Sequence, residues 1–208
     1  MLKGLGILRK SGHEHLSGSV VLPVMDANGN PVQMYGRKIT AGLRKGTPEH
    51  LYLEQPMAGV WNITGIAHQK EWILCECIID ALTLWCQGLR HVTCCFGKNT
   101  FTDDLWSVLR KVRPNKIIIA FDNDPSGNKA ADKLAPKLAA EGANVHRVKV
   151  PRGKDINEYV CLLAGKDKKA VPGILQGLFV DAPVMHRDVL ALDEDAVFVK
   201  FAGVSADV

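Results

Sequence analysis

The chain has 208 residues, 47% hydrophobic and 23% charged, and 26 Lys and Arg against 22 Asp and Glu leave a net charge of +4. This composition describes one globular domain or a domain and a half and excludes a disordered chain, while the small charge excess permits a polyanionic partner without arguing for one. No window approaches the roughly 18 uncharged residues of a membrane helix, the first ten residues interrupt their apolar stretch too early for a secretion signal, and six cysteines without paired spacing read as reduced thiols, so a cytoplasmic protein is expected.

The charge is graded along the chain. Residues 1–60 carry seven basic and four acidic side chains, residues 61–160 fourteen and eleven, and residues 161–208 five and seven. Any field that attracts a polyanion therefore belongs to the first 160 residues.

In chain order, Ser19 to Thr40 holds two short β runs around Asp26-Ala-Asn-Gly-Asn-Pro31, which reads as a hairpin. Ala41 to Thr64 has scattered Gly and Pro and no period, and is expected to be irregular or weakly stranded. From Trp72 the pattern changes to strands alternating with helices. Trp72 to Cys77, His91 to Phe96, Lys116 to Phe121 and Asn144 to Val150 read as strands; Ile78 to Gly88, Thr102 to Val112 and Ser126 to Glu141 read as helices. Thr102-Asp-Asp is a cap signal, and Pro136 predicts a kink or break in the third helix. Four strands joined by helices over short connections predict a parallel α/β sheet. Beyond residue 160, Gly165-Lys-Asp-Lys-Lys reads as a solvated turn, Ile174 to Val180 as helix or strand, and Ala196 to Phe201 as an alternating strand.

Acidic residues fall at the ends of these strands. Glu76 ends the first, with Asp80 one helical turn on; Asp122 and Asp124 follow the third; Asp155 follows the fourth. Open α/β sheets place ligands at the carboxyl ends of their strands. Gathered carboxylates repel one another unless a cation neutralises them, and hard oxygen donors suit Mg²⁺, with Mn²⁺ as a substitute, beside substrate phosphates. Each acid alone reads as an ordinary turn or cap residue; it is their delivery to one edge by separate elements that points to phosphate chemistry. His13-Glu-His15 is too closely spaced for a zinc protease helix, Cys75, Cys77, Cys94 and Cys95 lack zinc-ribbon spacing, and Gly97-Lys98 lacks the first glycine of a phosphate loop, so no zinc is expected.

Three segments, Glu76-Cys-Ile-Ile-Asp80-Ala-Leu, Ile-Ile-Ile-Ala-Phe-Asp122-Asn-Asp124-Pro-Ser-Gly127 and Pro-Arg-Gly-Lys154-Asp155-Ile-Asn-Glu-Tyr, resemble the three motifs of the Toprim domain. That family joins DnaG-type primases, topoisomerases, nucleases and recombination mediators around one acidic Mg²⁺ centre. Ser19 to Ile39 with Gly36-Arg37, followed by Gly46-Thr-Pro-Glu-His-Leu-Tyr-Leu, is similar to the basic subdomain that precedes Toprim in DnaG-type primases. The resemblance implies an α/β Toprim (Rossmann-like) core of about four parallel strands with flanking helices over residues 67–160, a small basic α+β subdomain over 1–66, and an unassigned extension over 161–208.

It further implies a Mg²⁺-dependent nucleotidyltransferase that makes RNA primers on single-stranded DNA during replication. Glu76, Asp80, Asp122, Asp124 and Asp155 would form the catalytic pocket, with Glu76, Asp122, Asp124 and Asp155 as metal ligands. Arg37, Lys38, Arg44, Lys45, Lys98 and Lys154 would contact template or nucleotide. Ribonucleoside triphosphates and single-stranded DNA would be the partners, with a replicative helicase engaged through regions outside this chain. Two departures stand out: Cys77 replaces the usual Gly after the motif glutamate, and Glu49-His50 replaces a basic residue before Tyr-Leu. A Toprim-family nuclease and a non-catalytic nucleic-acid-binding module remain as alternatives at this point.

Overall fold

The computed structural model describes residues 1–54, 56–97 and 101–186. Strands β1 (Ser19–Met25) and β2 (Pro31–Lys38) pair antiparallel. Asp26 closes their turn by accepting backbone N–H bonds from Asn28 at 2.8 Å and Asn30 at 2.9 Å, the side-chain mimicry of a turn that favours Asx residues there. The irregular stretch that follows contributes β3 (His50–Tyr52), which pairs with the free edge of β2 to complete a three-stranded sheet. Helix α1 (Ile63–Ile66) leads into the second sheet.

That sheet has the order β5-β4-β6-β7-β8. Its strands β4 (Glu71–Cys75), β5 (Val92–Cys94), β6 (Lys116–Ala120) and β7 (Asn144–Arg147) are parallel, and β8 (Val184–His186) closes one edge antiparallel to β7. Helices α2 (Ile78–Cys86), α3 (Asp103–Val112) and α4 (Pro125–Ala140) make the crossovers. Strand residues alternate between two cores. Ile73, Cys75, Ile118 and Ala120 pack with α2 on one face, and Trp72, Leu74, Ile117 and Ile119 pack with α3 and α4 on the other. Both faces are covered, as a parallel sheet requires. Thr102 caps α3, accepting from the Leu105 N–H at 3.2 Å.

Two features depart from the sequence reading, and a third resolves an alternative it left open. Helix α4 runs unbroken through Pro136, which lies on its exposed face, where the carbonyl deprived of an N–H partner can turn to water. Gly165 to Asp167 belong to a helix, α5 (Ile156–Asp167), and the turn is confined to residues 168–170. The ambiguous Ile174 to Val180 run lies in helix α6 (Val171–Val180). Tyr159, Leu175 and Phe179 bury in the same core as α2, so the chain up to His186 is continuous with the α/β layers. The strand expected over Ala196 to Phe201 lies outside the described residues.

The small sheet and the parallel sheet share a core. Val24 and Tyr35 of the hairpin are fully buried with Ile73 and Ile78. Tyr52 meets Phe96, after β5, edge-on at 5.9 Å between ring centroids. This contact lays β3 against the segment after β5.

Candidate active site

Strand β4 lies between β5 and β6, so the chain leaves it first to one side and later returns on the other. The crevice between the ends of β4 and β6 is the reversal point of strand order, where such sheets bind ligands. Register places Cys75 beside Ala120, so Glu76 and Asp122, one and two residues further on, flank this crevice. Both are buried, at 7% and 9% exposure.

Asp80 lies in the first turn of α2 and is 3% exposed. Its Oδ1 accepts from the Asn157 N–H at 3.0 Å, and its Oδ2 accepts from the Cys77 thiol at 3.1 Å. Burial raises its pKa to about 6 against the pull of these hydrogen bonds, and the neighbouring Asp155 and Asp122 push it up further. Asp80, Asp122 and Asp155 therefore feel one another across elements. Cys77, which replaces the expected glycine, is accommodated because its φ is −133°, an extended conformation open to any residue. Its side chain becomes a partner of Asp80 instead of an obstruction.

The loop after β6 is fastened on several sides. Asn123 donates its backbone N–H to the Lys154 carbonyl at 2.8 Å and its side-chain amide to the Val150 carbonyl at 2.7 Å. Asp124 caps α4 by accepting the Gly127 N–H at 2.6 Å. A Cβ on Gly127 would stand 2.4 Å from the Asp122 carbonyl oxygen, so only glycine permits this close approach. Lys154 Nζ sits 3.2 Å from Asp122 Oδ2, and this pairing raises the Lys154 pKa. Asp155 caps α5, accepting the Glu158 N–H at 2.8 Å.

Arg147 is a member of this site that the sequence reading did not single out. It is 6% exposed, and it donates to the Asp122 carbonyl at 3.1 Å and to Asn128 Oδ1 at 3.4 Å. Burial lowers its pKa, while Asp132, Glu76 and Asp122 act to raise it. The signal was present in the period-2 pattern of β7, where Val145 and Arg147 are buried on the same face. Asn157, which holds Asp80, carried no comparable signal.

The four carboxylates expected to share a metal do not converge into a closed cage. Among the described residues no group of three His, Cys, Asp or Glu side chains stands close enough to enclose an ion, because Asp124 and Asp155 serve as helix caps and Asp122 pairs with Lys154. The donor set nonetheless fits Mg²⁺, which keeps several waters and binds through one or two carboxylates and substrate phosphates. The Lys154 ammonium, 57% exposed and held on Asp122, marks where positive charge is needed at this edge.

The expected basic contacts divide. Arg37, on β2, gives Nη1 to His50 Nε2 at 2.6 Å and Nη2 to Glu49 Oε2 at 2.7 Å. Lys38 donates its ammonium to the Ser17 carbonyl. Arg44 and Lys45 are exposed in the segment between β2 and β3. Lys98 lies outside the described residues.

A Toprim-like family pattern matches residues 73–160, the stretch that contains all five acids. Together with the sheet and its acidic edge, this makes residues 73–160 a Toprim-like domain. The chain's similarity is to the catalytic cores of DnaG-type DNA primases. The DNA primase of Aquifex aeolicus is 30% identical over 152 residues, 68% of this chain and 29% of that protein. The DNA primase of Synechococcus elongatus is 27% identical over 169 residues, 76% of this chain and 24% of that protein. The chain thus spans less than a third of these relatives' length. Among solved structures, the zinc-binding and RNA polymerase domains of the Aquifex aeolicus primase superpose with a TM-score of 0.67 at 22% identity, covering 91% of this chain and 46% of that one. A DnaG catalytic core superposes with a TM-score of 0.65 at 18% identity, covering 88% and 59%.

Proposed function

We propose that this chain is a primase-like catalytic core, a Mg²⁺-dependent nucleotidyltransferase that makes RNA primers on single-stranded DNA during replication. The observation that carries this reading is the placement of Glu76 and Asp122 on adjacent strand ends at the reversal point, in a chain whose similarity to DNA primases extends well beyond the 73–160 Toprim segment.

In this reading Asp122 and Asp124, with Glu76 and Asp155, are the residues that would hold Mg²⁺. When bound there, Mg²⁺ would supply neutralisation of the charge on a nucleotide α-phosphate during attack by a primer 3′-hydroxyl, with pyrophosphate as the leaving group. Glu76, buried beside the crevice, takes or holds a proton at its carboxylate. Asp80, bridging Cys77 and Asn157, keeps the first turns of α2 and α5 in register with the site. Lys154 transfers from Asp122 to a nucleotide phosphate, which its exposure allows. Arg37, with Lys38, Arg44, Lys45 and Lys98, meets the template backbone, whose contacts carry affinity without sequence information. A DnaG primase catalytic domain of the same fold has been solved bound to single-stranded DNA, which supports a template partner here. Ribonucleoside triphosphates would be the substrates, a replicative helicase a partner through regions outside this chain, and the cytoplasm the site of action. No helix among the described residues is long and apolar enough to cross a membrane.

Product analysis on labelled single-stranded DNA with ribonucleotides and Mg²⁺ tests the reading. New oligoribonucleotides are expected. Shortened DNA would instead indicate a nuclease, and Mg²⁺-independent binding without products would indicate a binding module.

A further inference from the structure

Arg37 is the end of a chain of hydrogen bonds that starts in the core. Tyr35, fully buried, places its hydroxyl 2.7 Å from His50 Nδ1, and His50 Nε2 lies 2.6 Å from Arg37 Nη1. A guanidinium only donates, so His50 Nε2 must accept, and the one proton of the neutral imidazole must then lie on Nδ1, directed at the Tyr35 oxygen. The tautomer is thus set from below by Tyr35 and read from above by Arg37. Glu49 takes the other arm of the guanidinium at 2.7 Å, but this pair is solvent-accessible, 33% and 57% exposed, and such pairs hold weakly. The Tyr35–His50 link, anchored in the core, is the firmer support.

We propose that His50 is a positioning residue that presents Arg37 to a nucleic-acid phosphate and releases it when the imidazole is protonated. This rests on the reading of Arg37 as a template contact. A doubly protonated His50 has no acceptor at Nε2, and its charge would stand 2.6 Å from a guanidinium nitrogen. The groups facing His50 are Tyr35 and Arg37 from β2 and Glu49 beside it, with Cys77, Asp80 and Cys94 coupled to the Tyr35 phenol behind. Burial and the neighbouring Arg37 already lower the His50 pKa, so the imidazole is neutral where the contact is made. The consequence runs against ordinary electrostatics. Acidification adds positive charge and normally tightens DNA binding, whereas loss of a positioned arginine weakens it.

The test is the affinity of the full chain for a fluorescent oligodeoxythymidine at constant ionic strength, at pH 7.5 and pH 5.0. Wild type is expected to weaken about 5-fold on acidification, the loss of one charge-assisted contact. His50→Gln, whose amide oxygen can still accept from Arg37, should bind like wild type at pH 7.5 and not weaken. His50→Ala should be weak at both values, matching Arg37→Ala. Asp80 titrates in the same window but is unchanged in His50→Gln, so the difference between the two curves belongs to His50. If wild type tightens on acidification as His50→Gln does, or His50→Ala binds normally at pH 7.5, the inference is wrong while template binding stands. If wild type fails to bind at pH 7.5, both fall together.

Discussion

Lys154 Nζ lies 3.2 Å from Asp122 Oδ2, and the backbone N–H of the next residue, Asn123, donates to the Lys154 carbonyl at 2.8 Å. The loop after β7 is therefore tied to the loop after β6 through both side chain and main chain. The side-chain part is the replaceable one. Lys154 is more than half exposed, and exposed ion pairs contribute about 0–1 kcal/mol.

Lys154→Gln is expected to leave thermal stability nearly unchanged, within about 1 kcal/mol, because the main-chain tie persists. The rate of primer extension should nevertheless fall at least about 10-fold, the share of a charge-assisted phosphate contact of about 1.4 kcal/mol. Parallel melting curves and steady-state kinetics check this. A variant that melts early and works normally once folded would assign Lys154 to structure alone.

Gly127→Ala tests how tightly the Asp122 turn is held. The added methyl would lie 2.4 Å from the Asp122 carbonyl oxygen and 3.1 Å from its carbonyl carbon, and backbone atoms cannot step aside as a side-chain end can. Overpacking of this kind costs about 1–3 kcal/mol. Because the displaced group carries a reacting carboxylate, activity should be lost even at temperatures where circular dichroism shows the variant fully folded.

Asp80 carries a pH signature. Its folded-state pKa is raised from 3.8 to about 6, so between these values the folded protein binds more protons than the unfolded chain, and stability falls as pH rises through that window. The full difference is about 3 kcal/mol. Asp80→Asn, which keeps an acceptor for the Asn157 N–H, should be more stable than wild type above pH 6 and lose that advantage towards pH 4. Urea melts across this range measure it. Equal stability of the two proteins at pH 7.5 would contradict the buried-charge account.

The parallel sheet was readable because a both-faces-buried strand such as Lys116 to Ala120 is an unbroken apolar run and the crossover helices carry clear caps. The acidic edge was readable because Glu76 and Asp122 follow such strands within two residues, with Asp155 in the loop after β7. Other features left weaker traces. Helix α5 begins inside a motif read for its chemistry, and its apolar positions 156, 159, 160 and 163 continue into a lysine-rich end that looks like a turn. Strand β8 is three residues long and gains its state from pairing with β7, a tertiary cause. Arg147 was hidden because an arginine in sequence reads as solvated, and only the burial of its neighbours on β7 marks it as an inward cation. The pairing of Arg37 with His50 and Glu49 joins residues 13 and 12 positions apart through strand register, which no local pattern encodes.

The central claim is that the acids at the ends of β4 and β6 perform nucleotidyl transfer. Primer synthesis on single-stranded DNA with ribonucleotides and Mg²⁺ or Mn²⁺, compared between wild type and Asp122→Ala combined with Asp124→Ala, tests it most directly. Wild type should make oligoribonucleotides and the double variant none, with single-stranded DNA binding retained by both. Equal product from the two proteins, or none from wild type that binds DNA normally, would contradict it.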